Sequence, residues 1–422
     1  MTATLTAPSV DVRAARRAVY IAFIGSGFAM ASWATRIPQI RDGLGLTPSR
    51  LGLVLLAIAA GSIVSLVLAG HIVARFGSRG TVAAMAGLLL VALSAVGIGY
   101  PYGIAPVVVG LFLFGFANGA WDVAMNVQGA VVEGRLGKSI MPRFHAGYSV
   151  GTVAGALAGV AAVALRLPVT LHLICSAVLI GVIVMLAVRS FGPDDVHPPT
   201  AAEQGDGGGL LRTLATWREP RTLLVGLFVL AFAFAEGAGI DWISVAVIDG
   251  YGAEATTGTL AFATFLTAMT LGRWFGPALL DRYGRVVVVR ILAVLSLAGL
   301  MLFVFGPTVE TAFAGALLWG IGASLGFPVG MSAAADDPAK AAARVSVVAS
   351  IGYCAFLGGP PLIGFLGDHV TVLKALTAVA ILLAVAAAAA GALRPLKPEA
   401  SPHPAPVPGP RAGLDEPVAR AG

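Results

Sequence analysis

Charge is what this chain has least of: 11% of its 422 residues are Asp, Glu, Lys or Arg, against roughly 25% in a soluble domain. With 58% hydrophobic residues and a mean hydropathy of +0.90, it has too little polar surface to face water on all sides. That excludes an ordinary soluble globule and leaves lipid as the solvent for much of the chain. Lysine is scarcer still, with Lys138, Lys340, Lys374 and Lys397 the only four. Cys175 and Cys354 are the only cysteines, each inside an apolar run. Their spacing suits no metal and no disulfide framework, and two small core residues are expected. Also missing are a Gly-x-x-x-x-Gly-Lys-Ser/Thr phosphate loop, a metal-ligand cluster and a nucleophile constellation, so neither ATP, a bound cofactor nor enzymatic chemistry is expected. Arg13, Arg16 and Arg17 precede an apolar stretch from Val19 to about Ile40, too long for a signal-peptide core of about 7–15 residues.

What is present is a series of apolar runs near the bilayer-spanning length of about 20 residues. They fall at 18–40, 50–72, 80–99, 104–131, 145–165, 168–188, 222–247, 257–280, 286–305, 309–331, 344–366 and 371–393, twelve in all. In lipid every backbone group must be paired internally, so runs of this length become helices. The expected fold is an all-α membrane protein: twelve transmembrane helices in two pseudo-symmetric six-helix bundles, 18–188 and 222–393. A segment 1–17 precedes them, a linker 189–221 joins them and a disordered tail 394–422 follows. The linker is rich in Pro, Asp and Gly, with a short surface helix expected around Leu210–Trp217. The tail has seven prolines between Pro395 and Pro410.

A net charge of +6 invites nucleic acid, but the positive residues sit in short loops between apolar runs. With the amino terminus in the cytoplasm, 21 of the 27 Lys and Arg residues fall on the cytoplasmic side and 5 outside. The positive-inside rule then predicts a multi-pass protein of the cell (inner) membrane with both termini cytoplasmic, its basic loops facing lipid headgroups. The expected partners are a small-molecule substrate, protons and the bilayer, with no nucleic acid, and the expected state is a monomer.

The chain repeats itself. Arg75 with Arg282 and Gly77 with Gly284 share an offset of 207, as do Gly115 with Gly322 and Gly119 with Gly326. Arg143 with Arg344, Ser149 with Ser350 and Gly151 with Gly352 share an offset of 201. Consistent offsets in matching runs indicate a duplicated six-helix unit.

With these residues the chain resembles the major facilitator superfamily, over essentially all of 15–395. The family's loop after its second helix reads Gly-x-x-x-Asp-Arg-x-Gly-Arg-Arg, and the resemblance implies that this loop gates the cytoplasmic side through a charge network. Here Gly70 to Arg79 keeps Arg75, Gly77 and Arg79 but has Ala74 where Asp is expected; the second copy keeps Asp281, Arg282, Gly284 and Arg285. The latch is therefore expected to rest on Asp281. A fainter likeness, to the sugar–proton symporter branch and its uncharacterised bacterial relatives, rests on Trp121 to Asn126 and on Phe144 to Ser149. Drug–proton antiporters carry Gly-Pro in span five, where this chain has Gly155-Ala156 within a row Gly147, Gly151, Gly155, Gly159. That row predicts close packing of a neighbouring helix.

Ionisable groups within spans are the first functional candidates, because lipid makes them expensive. Asn118, Asp122 and Asn126 form one stripe on span four, which the resemblance places on the cavity along with spans one, seven and ten; an interhelical clamp is the alternative. Glu236 sits near the middle of span seven among Ala, Phe and Gly, with Asp241 about one and a half turns further. Desolvation disfavours the charged form of a carboxyl, so such acids can exchange protons near neutrality. Glu236, Asp122 and Asp241 are the proton-coupling candidates; a salt bridge from Glu236 to Arg273 or Arg36 is the alternative. Arg36 near the mouth of span one, and Trp33, Trp121 and Trp319 as stacking faces, join the span-four stripe as substrate-binding candidates. Trp33 and Trp242 also fit an interfacial belt. His145 and His172 lie near helix ends, where packing or a proton relay are both open. The expected function is proton-coupled, alternating-access uptake of a small polar solute, sugar-like in character. Proton-driven drug or metabolite efflux is the second reading, and a non-transporting membrane sensor the third.

Overall fold

The computed structural model describes residues 11–194, 215–337 and 340–396, and every regular element among them is helical. The helices are α1 (Val12–Ala34), α2 (Ile37–Leu44), α3 (Pro48–Gly99), α4 (Ile104–Leu136), α5 (Met141–Ala164) and α6 (Val169–Ala187). After the linker come α7 (Pro220–Tyr251), α8 (Ala255–Tyr283), α9 (Arg285–Phe305), α10 (Val309–Ala323) and α11 (Gly326–Ala334). α12 (Ala341–Val370), α13 (Val372–Ala375) and α14 (Thr377–Ala389) complete the set. Joining pieces that continue across short breaks, ten helices among the described residues are long and apolar enough to cross a membrane. The expected surface helix around Leu210–Trp217 and the expected tail lie largely outside the described residues.

Two places account for the difference from twelve separate runs. Predicted spans two and three are continuous in α3, whose 52 residues would reach about 78 Å, more than twice a hydrocarbon core of about 30 Å. Gly77, with φ 68° and ψ 165°, interrupts it. This backbone region is open essentially to glycine alone. Gly284, between α8 and α9, adopts nearly the same conformation, φ 76° and ψ 155°. Arg75 and Arg282 each lie over the neighbouring ring, Phe76 at 5.8 Å and Tyr283 at 5.2 Å. The repeat read from the sequence thus recurs in local geometry. The second place is α8, 29 residues long but outside the ten, because six threonines and Arg273 lower its apolar character.

Predicted spans one and ten are each broken. Pro38 and Pro328 lack the N–H that would bond the carbonyls of Ala34 and Ser324, and the breaks fall there, at Thr35–Arg36 and Ser324–Leu325. The row of glycines on α5 packs against α1. A Cβ on Gly151 would stand 2.1 Å from the Ile24 carbonyl oxygen, and one on Gly155 2.5 Å from that of Phe28. Both obstacles are backbone. Gly151→Val is therefore expected to destabilise the protein by about 3 kcal/mol, read as a lower thermal midpoint in detergent. Cys175 and Cys354 are exposed on α6 and α12, not in the core as expected. A small apolar side chain suits a lipid-facing position as well as an interior one.

The described chain ends share one end of the bundle. There Arg221 donates to the carbonyls of Ala392 and Arg394, both at 3.1 Å, and Asp194 meets Ser78. This terminal end holds most of the ion pairs among the described residues. Asp336 takes Arg221 at 2.8 Å and Arg285 at 2.5 Å, and Glu219 takes Arg344 at 2.7 Å. The Arg344 guanidinium holds the Glu219 carboxyl below the usual carboxylate range.

Candidate functional site

The opposite, distal end is where helices before and after the linker close on each other. Arg41 of α2 bonds both carboxylate oxygens of Asp249 on α7, one of them at 3.0 Å. Asp368 of α12 accepts the Ser49 N–H at 3.3 Å through each oxygen. Gly52 of α3 lies against the Pro360 carbonyl, and Gly364 of α12 against that of Pro48, each so close that a Cβ would stand at 2.4 Å.

Beneath that closure a cavity of about 730 Å³ runs between the two groups of helices toward the terminal end. Asp122, His145, Tyr148 and Ser149 line one side; Thr270, Arg273 and Arg285 line the other. Much of the remaining wall is apolar, from Phe23, Met125, Leu325 and Phe327. A second chamber of about 240 Å³ is lined by Asn118, Asp241 and Tyr353 and bounded by Pro360 of the distal closure. A gap of about 20 Å³ between Tyr148, Glu236 and Arg273 lies between them.

The span-four stripe divides. Asn118 faces the small chamber and accepts from Ser26 Oγ at 2.8 Å; Asp122 faces the large one. Asn126 turns back onto α4, donating to the Asp122 carbonyl at 2.8 Å and to its carboxylate at 3.3 Å. Asp122 has no cationic partner among the described residues.

Glu236 does. The Arg273 guanidinium donates to it at 2.8 Å while its Nε donates to the Ser324 carbonyl at 3.2 Å. That carbonyl is the one Pro328 leaves without an N–H. Arg273 thus ties α8 to α7 and to the break after α10, and of the two readings of Glu236, a free proton-coupling acid or a salt bridge to Arg273 or Arg36, the structure has the pair with Arg273. The neutralising charge comes from another helix, which local composition does not reveal.

Four other expectations change. Arg36 is 2% exposed and donates to His172 Nδ1 at 2.9 Å, so it is a packing residue between the α1–α2 break and α6 rather than a cavity contact. Trp33, Trp121 and Trp319 are fully buried and line no described cavity, and Trp242 is likewise buried rather than interfacial. Trp319 packs edge-on against Phe265 and Phe303. Trp121 is one residue, hence about 100° of helix, away from cavity-facing Asp122. Asp281 is exposed and has no partner among the described residues, while Arg285 binds Asp336.

In the first copy of the loop, which has Ala74, an acid from the start of the linker reaches the segment after Gly77. Asp194 accepts the Ser78 N–H and hydroxyl, each at 2.5 Å, and the Gln128 amide at 2.7 Å. It anchors the segment after Gly77 from the start of the linker. Tyr148, Thr270, Tyr353 and Arg285 are cavity residues that sequence reasoning did not single out as such. The spacing of His145, Tyr148 and Ser149, three and four residues apart, is the signal that would have put them on one face.

Comparison with known proteins agrees with this architecture. A sequence model of the Major Facilitator Superfamily matches residues 237–420. An uncharacterized MFS-type transporter of Yersinia pestis is 31% identical over 380 residues, covering 88% of this chain and 94% of that one. The chain belongs to the major facilitator superfamily. An uncharacterized transporter of Sinorhizobium fredii is 30% identical over 387 residues, 90% of this chain and 98% of its own. Among solved structures, the superfamily fold recurs in the nucleoside transporter NupG, with a TM-score of 0.76 at 14% identity, over 90% of this chain and 100% of that one. It recurs in the Escherichia coli fucose:proton symporter FucP, with a TM-score of 0.61 at 16% identity, over 89% and 97%. At such identities the likeness is one of fold. This superfamily chain is a membrane transporter.

Proposed function

We propose that the protein is a proton-coupled secondary carrier of a small polar solute, working by alternating access. Twelve helices cross the membrane as two six-helix bundles, with 248–256 outside and both termini in the cytoplasm, so the conformation described is open inward. The observation that carries the reading is the cavity between the helix groups: shut distally by Arg41–Asp249 and the Gly52–Pro360 contact, it reaches the terminal end. One carboxyl without a counter-ion, Asp122, faces it, which is what carrying a proton with the solute requires. Among structures of the same fold, FucP is named a fucose:proton symporter and NupG a nucleoside transporter, which supports a solute rich in hydroxyl groups. The apolar wall of Phe23, Met125, Leu325 and Phe327 favours the second reading, export of a more apolar compound.

Proteoliposomes containing a pH-sensitive dye test the proposal. Adding sugars or nucleosides one at a time should produce solute-dependent proton entry with one of them. Exchange of a labelled solute with no accompanying proton movement would remove the coupling and leave a uniporter or exchanger.

A further inference from the structure

The small chamber is larger than proton transfer requires. A proton needs a carboxyl and a path, whereas here Asp241 lines about 240 Å³ of space. Asp241 has no hydrogen bond or ion pair among the described residues, and no Lys, Arg or His lines the chamber with it. Its position on α7 is five residues, or about 7.5 Å, further toward the distal end than Glu236, beyond the pair with Arg273. Nothing among the described residues balances a carboxylate there, so its counter-charge is either its own proton or a cation that enters the chamber.

The rest of the wall says what kind of charge. Phe356 packs within 3.5 Å of where a Cβ on Gly237 would stand, one helical turn from Asp241 and on its face of α7. Tyr353, on the same helix as Phe356, brings a second ring, with the two centroids 6.4 Å apart. Aromatic faces beside a carboxylate attract an organic ammonium through ring quadrupole and full charge together. Leu55, Ile58 and Ile240 supply apolar contact, and Asn118 and Ser62 the few hydrogen-bonding groups. A metal ion would want several oxygen ligands, but Asn118 Oδ1 already accepts from Ser26 and Ser62 Oγ is engaged with the Gly115 carbonyl, so the wall's one carboxylate has little oxygen beside it.

We propose that the chamber is an ammonium-binding subsite, in which Asp241 pairs with the cationic nitrogen of an amine whose small apolar body lies against Tyr353 and Phe356. This names a small amine, in place of a hydroxyl-rich solute, as the substrate class of the carrier, and it rests on the carrier reading only in taking the chamber as part of the solute path. Pro360 and Gly52 roof the chamber distally, so parting the helices there would open it to that side.

The test is equilibrium binding to the purified full chain in nanodiscs, by calorimetry and thermal shift, with matched pairs of probes. Cyclohexylamine is set against cyclohexanol, and phenethylamine against phenethyl alcohol, at neutral pH where the amines are charged. The amine of each pair should raise the thermal midpoint while its alcohol does not. Asp241→Asn, nearly isosteric, should weaken amine binding about 30-fold or more, and Glu310→Gln, at the exposed start of α10, should leave it within a few-fold. Should Asp241→Asn fail to fold, Phe356→Leu serves instead, since losing the ring face should weaken amine binding. Equal binding of amine and alcohol, no binding of either, or unchanged amine binding by Asp241→Asn would each overturn the assignment. Binding is read without flux, so a protein that moves no protons still answers the question.

Discussion

Gly52→Val is expected to abolish transport while the protein still folds and still binds its solute. Even a methyl group at this position would stand 2.4 Å from the Pro360 carbonyl oxygen and 3.0 Å from the Pro361 Cα, both backbone atoms of another helix. Neither can rotate away, so valine holds α3 and α12 apart and the distal end stays open. The same end also carries the Arg41–Asp249 pair, and magnitudes separate the two contacts. The Asp249 side chain is 42% exposed and that of Arg41 10%, and a two-bond pair so placed contributes about 1 kcal/mol, the upper end of the surface range. A backbone clash of this depth costs several kcal/mol, about 3 or more, enough to reverse a two-state equilibrium. Arg41→Ala should therefore slow transport by no more than about fivefold, whereas Gly52→Val should stop it. The readout is a cysteine at Asn118, in a background with Cys175 and Cys354 replaced. It should react with a membrane-impermeant reagent from the distal side in the valine variant and not in the parent. Wild-type transport by Gly52→Val would show that the helices do not meet this way in the working cycle.

Much of this geometry was legible in the sequence, and the reasons differ from residue to residue. Lengths of apolar runs report helices because lipid forbids unpaired backbone, and this constraint acts locally. The glycine row on α5 was readable because spacing by four residues fixes one face whatever the neighbour is; the neighbour proved to be α1. Gly77 and Gly284 were readable as a pair, and their shared backbone conformation is the physical content of the repeat. Partners across helices were readable only as alternatives, Arg273 or Arg36 for Glu236, or not at all. Glu236 sits among apolar residues in sequence but against Arg273 in space. The gap at Ala74 pointed to Asp281, yet Asp194, more than a hundred residues on, holds that loop through Ser78 and Gln128. Arg36 and the tryptophans were misplaced for one reason: residue type says that a side chain is unusual in lipid, and only helix rotation says which way it faces.

That distinction sets the last expected result: Asp122→Asn should remove solute-driven proton entry, and Glu236→Gln should instead cost stability. A coupling carboxyl must be free to lose its proton to water on one side and regain it on the other, which a permanent counter-ion opposes. Asp122 meets that requirement, because it faces the large cavity and its carboxylate receives only the Asn126 amide at 3.3 Å. Asn at 122 keeps the shape and mimics the protonated acid, so the variant should fold, bind solute and exchange it, with proton entry at background. Glu236 is held by Arg273 at 2.8 Å, with the two side chains 18% and 27% exposed. Removing its charge leaves a half-buried guanidinium with the Ser324 carbonyl alone, a loss of about 2 kcal/mol. Glu236→Gln should accordingly lower the thermal midpoint, and pairing it with Arg273→Gln should recover part of the loss, because no unpaired charge then remains. The two assignments exchange places if proton entry survives in Asp122→Asn and disappears in a Glu236→Gln protein of undiminished stability. In that case the Arg273 pair would open during the cycle, and Glu236 would carry the proton while Arg273 binds the solute.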